Sequence, residues 1–200
     1  ASAQLTDTTA FLAHVSNQYR TLPNVVYHVA SGHENKLDLY LPANSSAATP
    51  VLMMIHGGGW VQGTKEAQLL RALPYLEMGW AVVNVTYRLV QVARAPAAIE
   101  DCLCALQWIA RNAERYNFDT SRIVTSGNSA GGHLAQFLAV TNGVAEFRGD
   151  HTHLDQPSDI TCVAAWSQAS DFTREFGIWD QAPDVFPKIL GEKLSVKTRR

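Results

Sequence analysis

The chain has 200 residues, 46% of them hydrophobic, with 16 basic against 18 acidic side chains and a formal net charge of −2. That length and apolar content suit one domain with a substantial core held without disulfides or metal, and they argue against intrinsic disorder. The near-neutral charge argues against a surface built to attract phosphate backbones, and no apolar run nears the roughly 20 residues that span a bilayer.

The first ten residues are polar and lack the basic and apolar regions of a secretory leader. Residues 5–19 are read as a short helix. Residues 25–29 and 36–41 follow as two strands, joined through a turn that contains Gly32 and Asn35. The uninterrupted apolar run at 51–55 has the character of a strand buried on both faces. Leu69, Leu70, Leu73 and Leu76 then mark one face of a helix ending near Gly79. Residues 80–87 form a Val-rich strand. Pro96 opens a long helix on which Ile99, Leu103, Leu106, Ile109, Ala110 and Ala113 recur at spacings of three and four. Asp119 caps the approach to a strand at 122–126, and residues 129–140 are helical with Leu134, Phe137 and Leu138 on the buried side. Residues 150–158 are a polar loop, residues 161–166 a further strand, and from Ser170 the pattern breaks up around Gly177, Pro183, Pro187 and Gly191. Strands alternate with helices from 50 to 166, so the expected class is α/β, with a doubly wound, mostly parallel sheet. The two leading strands should form its antiparallel edge. Cys102 and Cys104, two apart on a helix, point to different faces and read as core thiols; with Cys162 the count is odd. A reduced, cytoplasmic protein is expected.

Two motifs sit where strands hand over to helices. Gly127-Asn128-Ser129-Ala130-Gly131 fits G-x-S-x-G, the sharp strand-to-helix turn that lifts a serine hydroxyl above the sheet. Small neighbours are needed because side chains at 127 and 131 would collide with the adjoining elements. The new helix begins at the serine, so its positive end favours a developing oxyanion. The second motif, His56-Gly57-Gly58-Gly59-Trp60, leaves backbone N–H groups uncovered and able to turn toward a ligand oxygen. A phosphate cradle would want G-x-G-x-x-G or a full Walker spacing, and Gly63-Thr64-Lys65 supplies neither.

With both motifs in place, the chain resembles the α/β-hydrolase superfamily, in the esterase/lipase branch that includes hormone-sensitive-lipase-like and feruloyl- or acetyl-esterase-like enzymes. The resemblance covers residues 25–191. It rests on His56–Gly63, Tyr87-Arg88-Leu89, residues 119–123 and the elbow from Gly127 to His133. It implies Ser129 as nucleophile and the N–H groups of Gly58, Gly59 and Ala130 as oxyanion hole, with His56 organising the loop rather than acting as base. Trp60 and Asn128 are the expected substrate-pocket residues. No cofactor or metal is implied. Arg88 and Asp101 have structural readings, and Gly58→Ala is expected to cost rate more than stability.

The family's order of serine, acid and histidine is not completed by the residues that follow Ser129. His133 lies a turn further along the same helix and should pack beneath the elbow. His151 and His153 sit in a polar loop, and Asp171 comes one strand early. The expectation is therefore one α/β-hydrolase domain over residues 1–200, incomplete at its C-terminal side, that alone hydrolyses esters barely above background. The expected function is a serine hydrolase acting on short acyl, aryl or acylated-carbohydrate esters through an acyl-enzyme on Ser129. The alternatives are an arylformamidase-type amide hydrolase and a non-catalytic binding protein on the same scaffold. The expected partner is a small-molecule ester, not nucleic acid or membrane, and a homo-oligomer is left open.

Overall fold

The turn at Ser31 and Gly32 has positive φ at both residues, 53° and 71°. That is the backbone a two-residue hairpin with right-handed strand twist demands. It joins β1 (Tyr19–Ala30) to β2 (His33–Pro42), antiparallel over nearly their whole lengths. The structure, a computed structural model, describes residues 17–43, 45–141 and 159–168, together with Ala10, Ala13 and His14. Most of the expected N-terminal helix therefore lies outside the described residues, as do the 150–158 loop, His151, His153, Asp171 and everything from residue 169. Of that helix, residues 10, 13, 14, 17 and 18 are described and helical, and Tyr19 already belongs to the strand.

Four more strands follow: β3 (Thr49–Ile55), β4 (Ala81–Val85), β5 (Phe118–Asn128) and β6 (Ile160–Trp166). They assemble with the hairpin into one sheet of order β1-β2-β4-β3-β5-β6. The hairpin is the antiparallel side, with β2 antiparallel to β4, while β4, β3, β5 and β6 run parallel. Helices α1 (Leu69–Glu77), α2 (Ala97–Arg111), α3 (Ala113–Tyr116) and α4 (Ala130–Thr141) are the crossover elements. The expected α/β class and the antiparallel edge are both present.

The period-2 alternation of β3 feeds two cores at once. Val51, Met53 and Ile55 pack with residues of α2 and α4, whereas Leu52 and Met54 pack with Ala72 and Leu76 of α1. Such burial on both faces explains why the 51–55 run carries no polar alternation. Helix α2 is wedged so deeply that all residues from Asp101 to Ile109 are buried. Cys102 and Cys104 are therefore both core thiols although they leave the helix in different directions.

The expected face of α1 is observed only in part. Ala72 and Leu76 are buried, Leu73 is half-buried, and Leu69 and Leu70 are exposed, Leu70 at 73%. A 3₁₀ turn at Lys65–Gln68 leads directly into the helix. At about 100° per residue, Leu70 then lies roughly 120° around the axis from Leu76 and faces solvent.

Candidate active site

The register pairs Ile55 of β3 with Gly127 of β5, so the glycine turn and the serine elbow leave the sheet side by side. Their backbones touch. A Cβ on Gly57 would stand 2.6 Å from the carbonyl oxygen of Asn128, and a Cβ on Gly131 would stand 2.2 Å from that of Ile55 and 2.6 Å from that of His56. Neither position has room for a side chain, and this is the physical reason for glycine at both.

Ser129 is held at φ 53° between β5 and α4, a left-handed conformation that costs a non-glycine residue about 1–2 kcal/mol. Its N–H donates to the carbonyl of Trp166 at the end of β6 (2.8 Å), and its own carbonyl accepts from the N–H of His133 (3.0 Å). The elbow is thus fixed by a neighbouring strand and by the first turn of its helix.

The glycine turn coils tightly. Gly58, Gly59 and Trp60 all have positive φ, and the Gly58 carbonyl accepts from the N–H groups of Val61 and Gln62. A Cβ on Gly58 would fall 1.9 Å from the Gln62 carbonyl oxygen. Gly58→Ala must therefore disturb the fold as well as any rate, a larger stability cost than the sequence led one to expect. A strap after β4 buttresses the turn: Val90 N–H donates to the Trp60 carbonyl (3.0 Å), and Gln91 Nε2 to that of Val61 (2.7 Å).

His56 organises this turn, as expected. It is buried, its Nδ1 donates to the Gly57 carbonyl (2.8 Å), and its ring stacks on Tyr87. Burial lowers its pKa, only partly offset by that bond. The His133 ring, expected beneath the elbow, instead meets Trp60 edge-on with centroids 5.4 Å apart and lies against Phe137; burial lowers its pKa too. Trp60 is buried beside the turn. Asn128 accepts from Gln68 Nε2 and borders a cavity of about 610 Å³ with Met54, Tyr75, Met78 and Trp166 on the α1 side of the sheet.

Arg88 is committed to structure. Its N–H and Nε donate to the fully buried Asp101 carboxylate at 2.8–3.0 Å. Asp119 makes the expected turn, accepting from the N–H and hydroxyl of Ser121. What the sequence reading passed over is Lys65, read only as part of a failed phosphate motif. It is buried and ion-paired with Asp38 (3.0 Å). Asp38 alternates with Leu37 and Leu39 as a solvent-facing charge would, so the sequence carried no signal of the pair. Among the described residues, no helix is long and apolar enough to cross a membrane.

Residues 37–197 match the family model described as BD-FAE. The probable carboxylic ester hydrolase LipM of Mycobacterium tuberculosis is 31% identical over 146 residues, which is 72% of this chain and 33% of that protein. Among solved structures, a truncated form of a carbohydrate esterase from gut microbiota is 30% identical at a TM-score of 0.63, covering 73% of this chain and 56% of that one. Esterase B from Lactobacillus rhamnosis is 25% identical at 0.75, covering 91% and 67%. The chain spans about a third of the length of the first curated relatives it matches. Its sheet order, paired turns and sequence similarity converge: this chain belongs to the BD-FAE family and carries an α/β-hydrolase fold.

Proposed function

We propose that the protein is a serine hydrolase of carboxylic esters, with Ser129 as nucleophile. The supporting observation is the backbone contact between Gly57 and Asn128, which sets the glycine turn beside a serine in strained backbone at the head of α4. In this reading Ser129 Oγ attacks the acyl carbon, the C–O bond to the alcohol breaks, and water later cleaves the acyl-enzyme. The N–H groups of Gly58, Gly59 and Ala130 stabilise the tetrahedral oxyanion, each worth roughly 3–4 kcal/mol in the transition state. Trp60 walls the acyl or alcohol pocket, with Asn128 behind the elbow. His56 and His133 are not assigned as base, because one is spent on the glycine turn and the other packs against Trp60 and Phe137.

Short acyl, aryl or acylated-carbohydrate esters are the proposed substrates. Similarity to proteins named as a carboxylic ester hydrolase and a carbohydrate esterase supports that class. A cytoplasmic setting completes the reading, supported by three free thiols. The test is a fluorophosphonate probe on the full-length protein, read by peptide mass, beside matched panels of esters and N-formyl arylamines. Labelling at Ser129 with ester turnover is expected, and Ser129→Ala should lower turnover by roughly four to six orders of magnitude. An unlabelled serine would overturn the reading, and faster amide than ester turnover would replace it with the amidase alternative.

A further inference from the structure

Lys65 ends the loop that carries the glycine turn, and it is held from two strands at once. Its Nζ pairs with Asp38 of β2 at 3.0 Å, with both side chains almost wholly buried. Its carbonyl accepts from Asn84 Nδ2 of β4 at 2.7 Å. Asp38 and Asn84 are register partners across β2 and β4, so they present one polar anchor beside the apolar cluster of Leu52, Met54 and Val82. Asp38 is itself fixed, accepting from the N–H of Asn24 (2.8 Å). Glu66 adds a second, exposed carboxylate on Lys65 Nζ. Burial alone would lower the lysine's pKa, but the two carboxylates outweigh it and raise it, so the ammonium stays charged.

Between Lys65 and the sheet end at Ile55, the loop is also held at its start by the His56–Tyr87 stack and at its middle by the Val90 and Gln91 bonds to the Trp60 and Val61 carbonyls, which leaves Lys65 as the anchor of its far end. Gln62, Gly63 and Thr64 are exposed. A buried ion pair is on average no better for stability than a well-packed apolar pair, so its distinctive contribution is a fixed geometry. Here that geometry is the far end of the turn bearing Gly58 and Gly59.

We propose that the Lys65–Asp38 pair tethers the glycine turn in its catalytic position, which makes Lys65 a positioning residue for the hydrolase reaction; the proposal rests on the ester-hydrolase reading above. Displacing reacting groups by about 1 Å costs on the order of 100-fold in rate. Loss of the tether should therefore act on kcat, because the N–H groups serve the transition state more than the bound ester.

The experiment uses the full-length protein with Lys65→Met, Asp38→Asn and the double variant, assayed for kcat, KM, thermal midpoint and amide hydrogen exchange at residues 57–59. Lys65→Met alone buries an unpaired carboxylate and can fail to fold. The double variant removes both charges and keeps an oxygen for Asn24. The expected result is a double variant with its thermal midpoint near wild type, kcat down roughly 10- to 100-fold, KM within about twofold, and faster exchange at 57–59. A double variant with wild-type kcat and unchanged exchange would overturn the tether. Wild-type protein that turns over no ester and takes no phosphonate would overturn the hydrolase reading instead, while the exchange data would still report whether Lys65 holds the turn.

Discussion

The imidazole of His56 lies flat on the phenol ring of Tyr87, with centroids 4.3 Å apart and planes inclined by 14°. Tyr87 Oη also donates to the His56 carbonyl at 3.0 Å. One residue beyond β4 thus grips both the ring and the backbone of the residue that starts the glycine turn. Tyr87→Phe keeps the stack and deletes the hydrogen bond, so it should cost about 1 kcal/mol. Tyr87→Ala should cost about 3–5 kcal/mol, because it also opens a cavity. Urea denaturation of the two variants checks the split.

Glycine substitutions should separate by what surrounds them. Gly32 has φ 71° and open space around it, so Gly32→Ala should cost only about 1 kcal/mol of backbone strain. Gly131 has Ile55 and His56 carbonyl oxygens where a Cβ would go. Gly131→Ala should cost about 3 kcal/mol or more, since backbone and not a flexible side chain must move. Thermal midpoints of the pair, measured side by side, test the contrast.

Strain at the elbow predicts a trade of activity for stability. Ala at 129 keeps the Cβ that makes φ 53° unfavourable, whereas Gly does not. Ser129→Gly should therefore be more stable than Ser129→Ala by about 1 kcal/mol, with both inactive on esters. Equal denaturation midpoints would show that the elbow carries no such strain.

The Arg88–Asp101 pair should behave as pure scaffold. Asp101→Ala leaves the buried guanidinium only the partly exposed Glu100 as charge partner and should cost about 3 kcal/mol. The ester KM of the surviving folded fraction should not change, and steady-state kinetics beside calorimetry reads both quantities.

Acid should weaken the fold through two histidines. A free imidazole titrates near about 6.5, and burial lowers both His56 and His133. The unfolded chain therefore binds protons first as pH falls. Their contribution is fully present above about 6.5 and is lost as pH drops toward the folded-state values. The urea midpoint should decline as pH falls below about 6.5, and His133→Gln should make that decline shallower. The Glu66 carboxyl, drawn down to about 2 mainly by its bond to Lys65, acts only in a separate and more acidic window.

By itself the sequence determined the α/β alternation, the hairpin turn, the doubly buried strand at 51–55 and both glycine-rich motifs. Each of these is written in local chemistry: a period of two or 3.6, a residue that tolerates positive φ, a missing Cβ. Only the tertiary structure decided what lies next to what. Residues 55 and 127 become neighbours because β5 docks beside β3, a choice made by long-range register and packing. The same holds for the phase of α1, which buries Leu76 but turns Leu70 to solvent, and for Lys65, whose partner Asp38 is a strand distant in sequence. Charges and helix faces are legible residue by residue; the partner that neutralises a buried charge is not, because its identity depends on which strands the whole core brings together.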